Sequence, residues 1–146
     1  MTSVVLPGDT NPHGTIFGGR VLEMIDKAGA IAALRHCRSG VVTASIDNVH
    51  FLSPVHLGNI VHLEARINQV FRSSLEVGVE VYSEDPATGR CQHTTTAFIT
   101  LVALDANGRP RPAPPLRLRT AAEHRRARQA ERRRRWRLRN RLPSPG

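Results

Sequence analysis

Between Gly18 and His36 the chain reads as one helix that is apolar on almost every side. Val21, Met24, Ile25, Ala28, Ile31 and Ala32 recur at helical spacing and form one stripe. Leu22, Gly29, Ala30 and Ala33 cover much of the opposite side. Only Glu23 and Lys27 share a narrow polar edge. A helix of this kind has to be covered, and with no second apolar helix in the chain the cover is expected to be a sheet. Asp26 lies among Leu22, Gly29, Ala30 and Ala33, where a carboxylate without a partner is costly. Either it pairs with Lys27, Arg20 or a backbone group, or it is a functional acid suited to general-base work. The small neighbours favour the second reading, since they leave room for another backbone or a substrate.

Beyond the helix the chain turns to β-type sequence. "VVTASIDNVHFL", "NIVHLEARINQVF", "SLEVGVEVYSE" and the Thr-rich "RCQHTTTAFITLVALD" alternate or are β-branched. Pro54 stops the first. "RSS", "EDPATGR" and "DANGRP" are turn material. Short links favour an antiparallel meander. The expected class is α+β, with a central helix against a curved antiparallel sheet. Leu75, Val77, Val79 and Val81 should face the helix, leaving Glu76, Gly78, Glu80 and Tyr82 outside. "RPRPAPPL" is a strap without regular structure. Thr120 and Glu123 form a T-x-x-E capping box for a basic C-terminal helix, and "LPSPG" reads as a flexible end. The expected division is a domain over 1–116 and an Arg-rich helix with its tail over 117–146.

Charge is unevenly placed. Residues 1–116 carry nine basic and ten acidic side chains, whereas residues 117–146 carry twelve Arg against Glu123 and Glu131. The formal charge of +9 therefore belongs to the tail. No apolar run approaches the roughly 18 residues of a membrane span, and "MTSVVLPGDT" lacks the pattern of a signal peptide, so cytoplasmic residence is expected. Cys37 and Cys91 have no metal-ligand spacing and are expected as free thiols. The His residues are scattered, so no metal is expected.

The loop ahead of the helix, "LPGDTNPHGTIFGG", supplies what a hydrolase needs. Asn11 offers both a donor and an acceptor. Gly14, Gly18 and Gly19 offer backbone N–H groups near a helix N-terminus, where an oxyanion is stabilised. His13, beside them, reads as a solvated loop residue.

D-T-N-x-x-G-x-x-F-G-G, a helical Asp seven residues on, then F-x-x-P-V-x-x-G resembles the hot-dog-fold acyl-CoA thioesterases, closest to the brain-type acyl-CoA hydrolase subgroup and its short bacterial relatives. The resemblance runs over about residues 4 to 116. It implies hydrolysis of acyl-CoA to free acid and coenzyme A, with coenzyme A part of substrate and product and no separate cofactor. By position it makes Asp26 the catalytic base or nucleophile and Asn11 the residue that orients water or thioester. It places the two on opposite subunits of a dimer, with backbone N–H near Gly18 and Gly19 facing the oxyanion. It further implies coenzyme A contacts from His50, Phe51 and Ser53 along one strand edge, and from Arg72, Ser73 and Ser74 at a hairpin. The subgroup commonly forms trimers of dimers, which would meet here through the strap and basic helix, with Glu76 and Glu80 as partners for its arginines. Two other readings compete: a non-hydrolytic acyl-CoA-binding module, and a nucleic-acid-associated protein acting through the Arg tail. Few aromatic residues accompany those arginines, which argues against nucleic acid.

Overall fold

The computed structural model describes residues 1–143, so the last three residues of the "LPSPG" end lie outside the described residues. Five strands form a single antiparallel sheet: β1 (Thr2–Val4), β2 (Gly40–Asp47), β3 (Ile60–Val70), β4 (Ser74–Glu84) and β5 (Cys91–Leu104), in the order β1-β3-β4-β5-β2. The long helix α1 (Gly18–Cys37) packs on one face and a second helix, α2 (Ala121–Arg139), on the other.

The inner row of β4, Leu75, Val77, Val79 and Val81, is fully buried, as are Ile99 and Leu101 of β5. Against them α1 buries Val21, Ile25, Ala28, Gly29, Ala33 and Cys37. A Cβ on Gly29 would stand 2.5 Å from Ile99 Cδ1, so the absent side chain is what lets helix and sheet approach. The room expected beside Gly29 for another backbone or a substrate is taken by β5 of the same chain. The helix is also not buried all round within one chain, because Ile31 and Leu34 are exposed. Strand β2 is shorter than its alternation suggests. Asn48 takes a left-handed backbone (φ 46°), which ends the strand before "VHFL".

The outer face is covered by the chain itself. Helix α2 starts at the expected capping box, in which Thr120 Oγ1 accepts from the Glu123 N–H and Glu123 accepts from the Thr120 N–H. Those backbone donors, first Arg119 and then Thr120, hold the Glu123 carboxyl below its ordinary range. The helix buries Ala127 and Ala130 and crosses β3. From it Arg133 forks onto Glu76, 2.6 Å and 3.0 Å from its two oxygens, with the guanidinium over the Phe98 ring. Arg137 bonds Asp47 at 2.7 Å and reaches Glu76 at 3.4 Å. Glu76 is wholly buried, and its neighbour Asn68 donates to it. Glu76 thus finds arginines of its own chain in place of the expected contacts between dimers. Glu80 takes His93 and Thr96 as partners.

Cys37 is buried and Cys91 exposed, and both are free. Burial pushes the Cys37 thiol upward, with Arg111 opposing weakly. A thiolate reagent at pH 8 should therefore modify one cysteine per folded chain, and the second only after unfolding. Rapid labelling of both would show that the Cys37 site opens readily.

Candidate active site

The loop before α1 is fixed by its own polar groups. Pro7–Asp9 make a turn of 3-10 helix, and the Asp9 carboxylate accepts from the Leu6 N–H and pairs with Arg20 at 2.8 Å. Asn11 ties the next turn. Its Oδ1 accepts from the N–H groups of His13 and Thr15, and its Nδ2 donates to Thr15 Oγ1. Gly14, at φ 79°, completes that turn in a conformation few side chains tolerate. The loop is stitched to the later segment by Ile16 N–H on Val55 O and Leu57 N–H on Gly14 O.

This joins two distant stretches around the start of α1. Thr15, Ile16, Gly18, Val21, Phe51, Leu52, Ser53, Thr94 and Thr95 line a cleft of about 400 Å³. Phe51 is half exposed, and its ring lies over Gly18, where an added Cβ would stand 3.3 Å from Phe51 Cζ. No side chain caps α1 at Phe17, so the first-turn N–H groups of Gly18 and Gly19 are left to serve an incoming acceptor. Gly19 has open space around it.

Asp26 lies two turns further along, about 12 Å at 1.5 Å per residue. Arg20 is engaged by Asp9 and Glu23, and Lys27 by Glu23. Neither cation reaches Asp26, which removes the ion-pair alternative. Its Oδ1 instead accepts a 2.6 Å hydrogen bond from the Thr43 hydroxyl. Thr43 belongs to β2, the edge strand of the sheet, at an irregularity between Thr43 and Ser45. The carboxylate is thus half-buried, held by a neutral donor, at an open sheet edge.

A family model described as the thioesterase superfamily matches residues 13–90. The chain belongs to the thioesterase superfamily. It is 48% identical to the uncharacterized acyl-CoA thioester hydrolase YkhA of Bacillus subtilis over 113 residues, 77% of this chain and 66% of that relative. It is 34% identical to the acyl-CoA thioester hydrolase YciA of Salmonella typhimurium, over 78% of this chain and 88% of the relative. Among solved structures, an apo hexameric acyl-CoA thioesterase superposes with a TM-score of 0.91 at 43% identity, covering 98% of this chain and 92% of its own. The architecture of this thioesterase-superfamily member is accordingly the hot-dog fold.

Within one chain of this thioesterase fold the expected residues fall into separate groups. Asn11, Gly18, Gly19, Phe51 and Ser53 surround or adjoin the cleft at the start of α1, and exposed His50 precedes Phe51. Ser53 reaches the His93 carbonyl only at 3.5 Å. Arg72, Ser73 and Ser74 form the β3–β4 turn, where Arg72 O accepts from the Ala113 N–H of the strap. Position along β5 measures the gap: Ser53 lies at His93, while Thr43 faces Leu101. Those two points lie eight residues apart along β5, at most roughly 26 Å of strand, while along α1 Asp26 stands about 12 Å from Gly18 of the same cleft. No hydrogen bond joins Asn11 to Asp26 among the described residues. Thr43 is the polar group that sequence reasoning missed. In sequence it is one more β-branched strand former, and only its place on the edge strand facing α1 distinguishes it.

Proposed function

We propose that the protein hydrolyses acyl-CoA thioesters to a free carboxylic acid and coenzyme A. The observation that carries this reading is Asp26, a carboxylate with no cationic partner, held through one oxygen by Thr43. Its second oxygen stays available to take a proton from water. Water adds to the thioester carbonyl carbon as Asp26 removes its proton. The resulting oxyanion is met by the N–H of Gly19, with Gly18 beside it. Loss of one such donor typically costs ~3 kcal/mol of transition-state stabilisation. Collapse breaks the carbon–sulfur bond, and the departing thiolate recovers a proton, which protonated Asp26 can return. Direct attack by the carboxylate through an anhydride is the alternative route.

Asn11 orients water or thioester in a site shared between two copies. The separation of Asn11 from Asp26 within one chain supports this, as does the position of Asp26 at the β2 edge, where a second sheet can continue the first. A homodimer then holds two complete sites, and three dimers make the hexamer. Hexameric thioesterases are among the solved structures that resemble this chain. The acyl-CoA hydrolase of Staphylococcus aureus, 33% identical, has been solved with butyryl coenzyme A and with Ala in place of an Asn, an Asp and a Thr. Its Asn precedes its Asp by 15 residues and its Thr comes 17 after, the spacings of Asn11, Asp26 and Thr43. Phe51, Ser53 and His50 are assigned to the pantetheine arm. Arg72, with Ser73 and Ser74, is assigned to the phosphates, for which a guanidinium is suited.

Mixing tests the shared site. Asn11→Ala and Asp26→Asn proteins should each be nearly inactive in release of free thiol from acyl-CoA. After subunit exchange they should regain activity, since a mixed dimer holds one site with both residues and one with neither. Mixtures shown to have exchanged subunits, yet as inactive as either parent, exclude the shared site. Wild-type protein that binds coenzyme A thioesters and releases no thiol would be a binding module instead.

A further inference from the structure

Helix α2 uses one face to grip the sheet, and its opposite face is made of arginine. Arg125, Arg128, Arg132, Arg135 and Arg139 recur at steps of three and four. At about 100° per residue they fall within an arc of about 80°, and at 1.5 Å per residue they extend over about 21 Å. All five are exposed, and none forms a salt bridge among the described residues. Both acids of the helix are engaged elsewhere: Glu123 is spent in the cap, and Glu131, beside the stripe, accepts from Gln69. The stripe is rigid because Arg133 and Arg137 fasten the other face to buried Glu76 and to Asp47. Trp136, Leu138 and Leu142 flank its C-terminal end, at 52%, 52% and 86% exposure.

We infer that this face of α2 is a docking surface for an anionic lipid bilayer. A flat array of phosphates can meet several guanidinium groups along one side of a helix at once. Exposed Trp and Leu beside the charges suit the headgroup boundary, where amphipathic rings and leucines settle. Nucleic acid suits the surface less well. Trp136 is the only aromatic residue in α2, so there is no row of rings on which bases stack. The helix lies against the sheet along its gripping side, which keeps it from being enclosed by a groove. The surface binds at the bilayer face and does not cross it; no helix among the described residues is long and apolar enough to span.

Sedimentation with vesicles tests this on the full chain. Protein should pellet with vesicles of equal phosphatidylcholine and phosphatidylglycerol at 0.1 M salt, and remain in solution with phosphatidylcholine alone. Each arginine near the surface is worth about a factor of five in partitioning. An Arg128→Gln, Arg132→Gln, Arg135→Gln variant should therefore bind about 100-fold more weakly, with unchanged helicity, assembly and thiol release from a water-soluble acyl-CoA. Trp136→Ser should weaken binding further at 0.5 M salt, where the charges are screened. Equal binding by the triple variant overturns the proposal, as does no binding to anionic vesicles. Tighter binding to a duplex or single-stranded oligonucleotide at equal phosphate concentration also overturns it. A triple variant that falls from hexamer to dimer would assign the stripe to contacts between copies and overturn it as well.

Discussion

An Asp26→Asn protein is expected to lose roughly 10²–10⁴-fold in turnover while keeping its fold. The substitution separates charge from shape. The amide oxygen of Asn can still accept from the Thr43 hydroxyl, so the 2.6 Å contact has a counterpart in the variant. What disappears is the capacity to take a proton from water or to attack the thioester itself. No cation faces Asp26, so no ion pair is broken and thermal stability should be retained or slightly raised. Turnover with short, medium and long acyl-CoA, read beside a thermal melt, is the measurement. Near wild-type turnover would remove Asp26 from the chemistry. A Thr43→Val companion keeps the charge and deletes the donor. It should lower kcat by less than Asp26→Asn does, because the base remains and only its orientation is loosened.

The second large effect belongs to stability. Arg133→Met should cost about 3–5 kcal/mol, because it leaves the fully buried Glu76 with the neutral amide of Asn68 at 3.0 Å and no cation nearer than Arg137 at 3.4 Å. The loss is mainly that of stranding a charge, so a double variant, Glu76→Met with Arg133→Met, should recover most of it. Denaturant midpoints for the two singles and the double provide the comparison. A single Arg133→Met variant within ~0.5 kcal/mol of wild type would mean that water reaches Glu76 as soon as the arginine leaves.

Much of this arrangement is legible in the sequence, for identifiable reasons. Alternation over residues 74–84 separates an apolar row from a polar one, and the sheet obeys it. The T-x-x-E signal starts α2 at the expected residue because a capping box is local chemistry. The catalytic candidates stand out for the opposite reason: a carboxylate in an apolar helix contradicts its surroundings. What stays illegible is non-local. Thr43 meets Asp26 across 17 residues of chain, and Glu76 meets Arg133 across 57. Glu76 on a strand and Arg133 in an Arg run each look like surface residues, and only the packing of α2 on the sheet turns them into an interior pair. The exposed side of α1, with Ile31 and Leu34, reads as buried in sequence because composition records apolarity and not which neighbour covers it.

The covering of the sheet by α2 also orders events in time. Every strand that the helix covers is synthesised before it, so during translation Glu76 stands in water on a sheet whose strand pairings need nothing beyond residue 104. The arginines arrive afterwards and close over a carboxylate that must then shed its hydration. Contacts made after the main barrier slow unfolding more than they hasten folding. Ion pairs that close over the finished sheet in this way would lengthen the lifetime of the folded molecule more than they speed its formation.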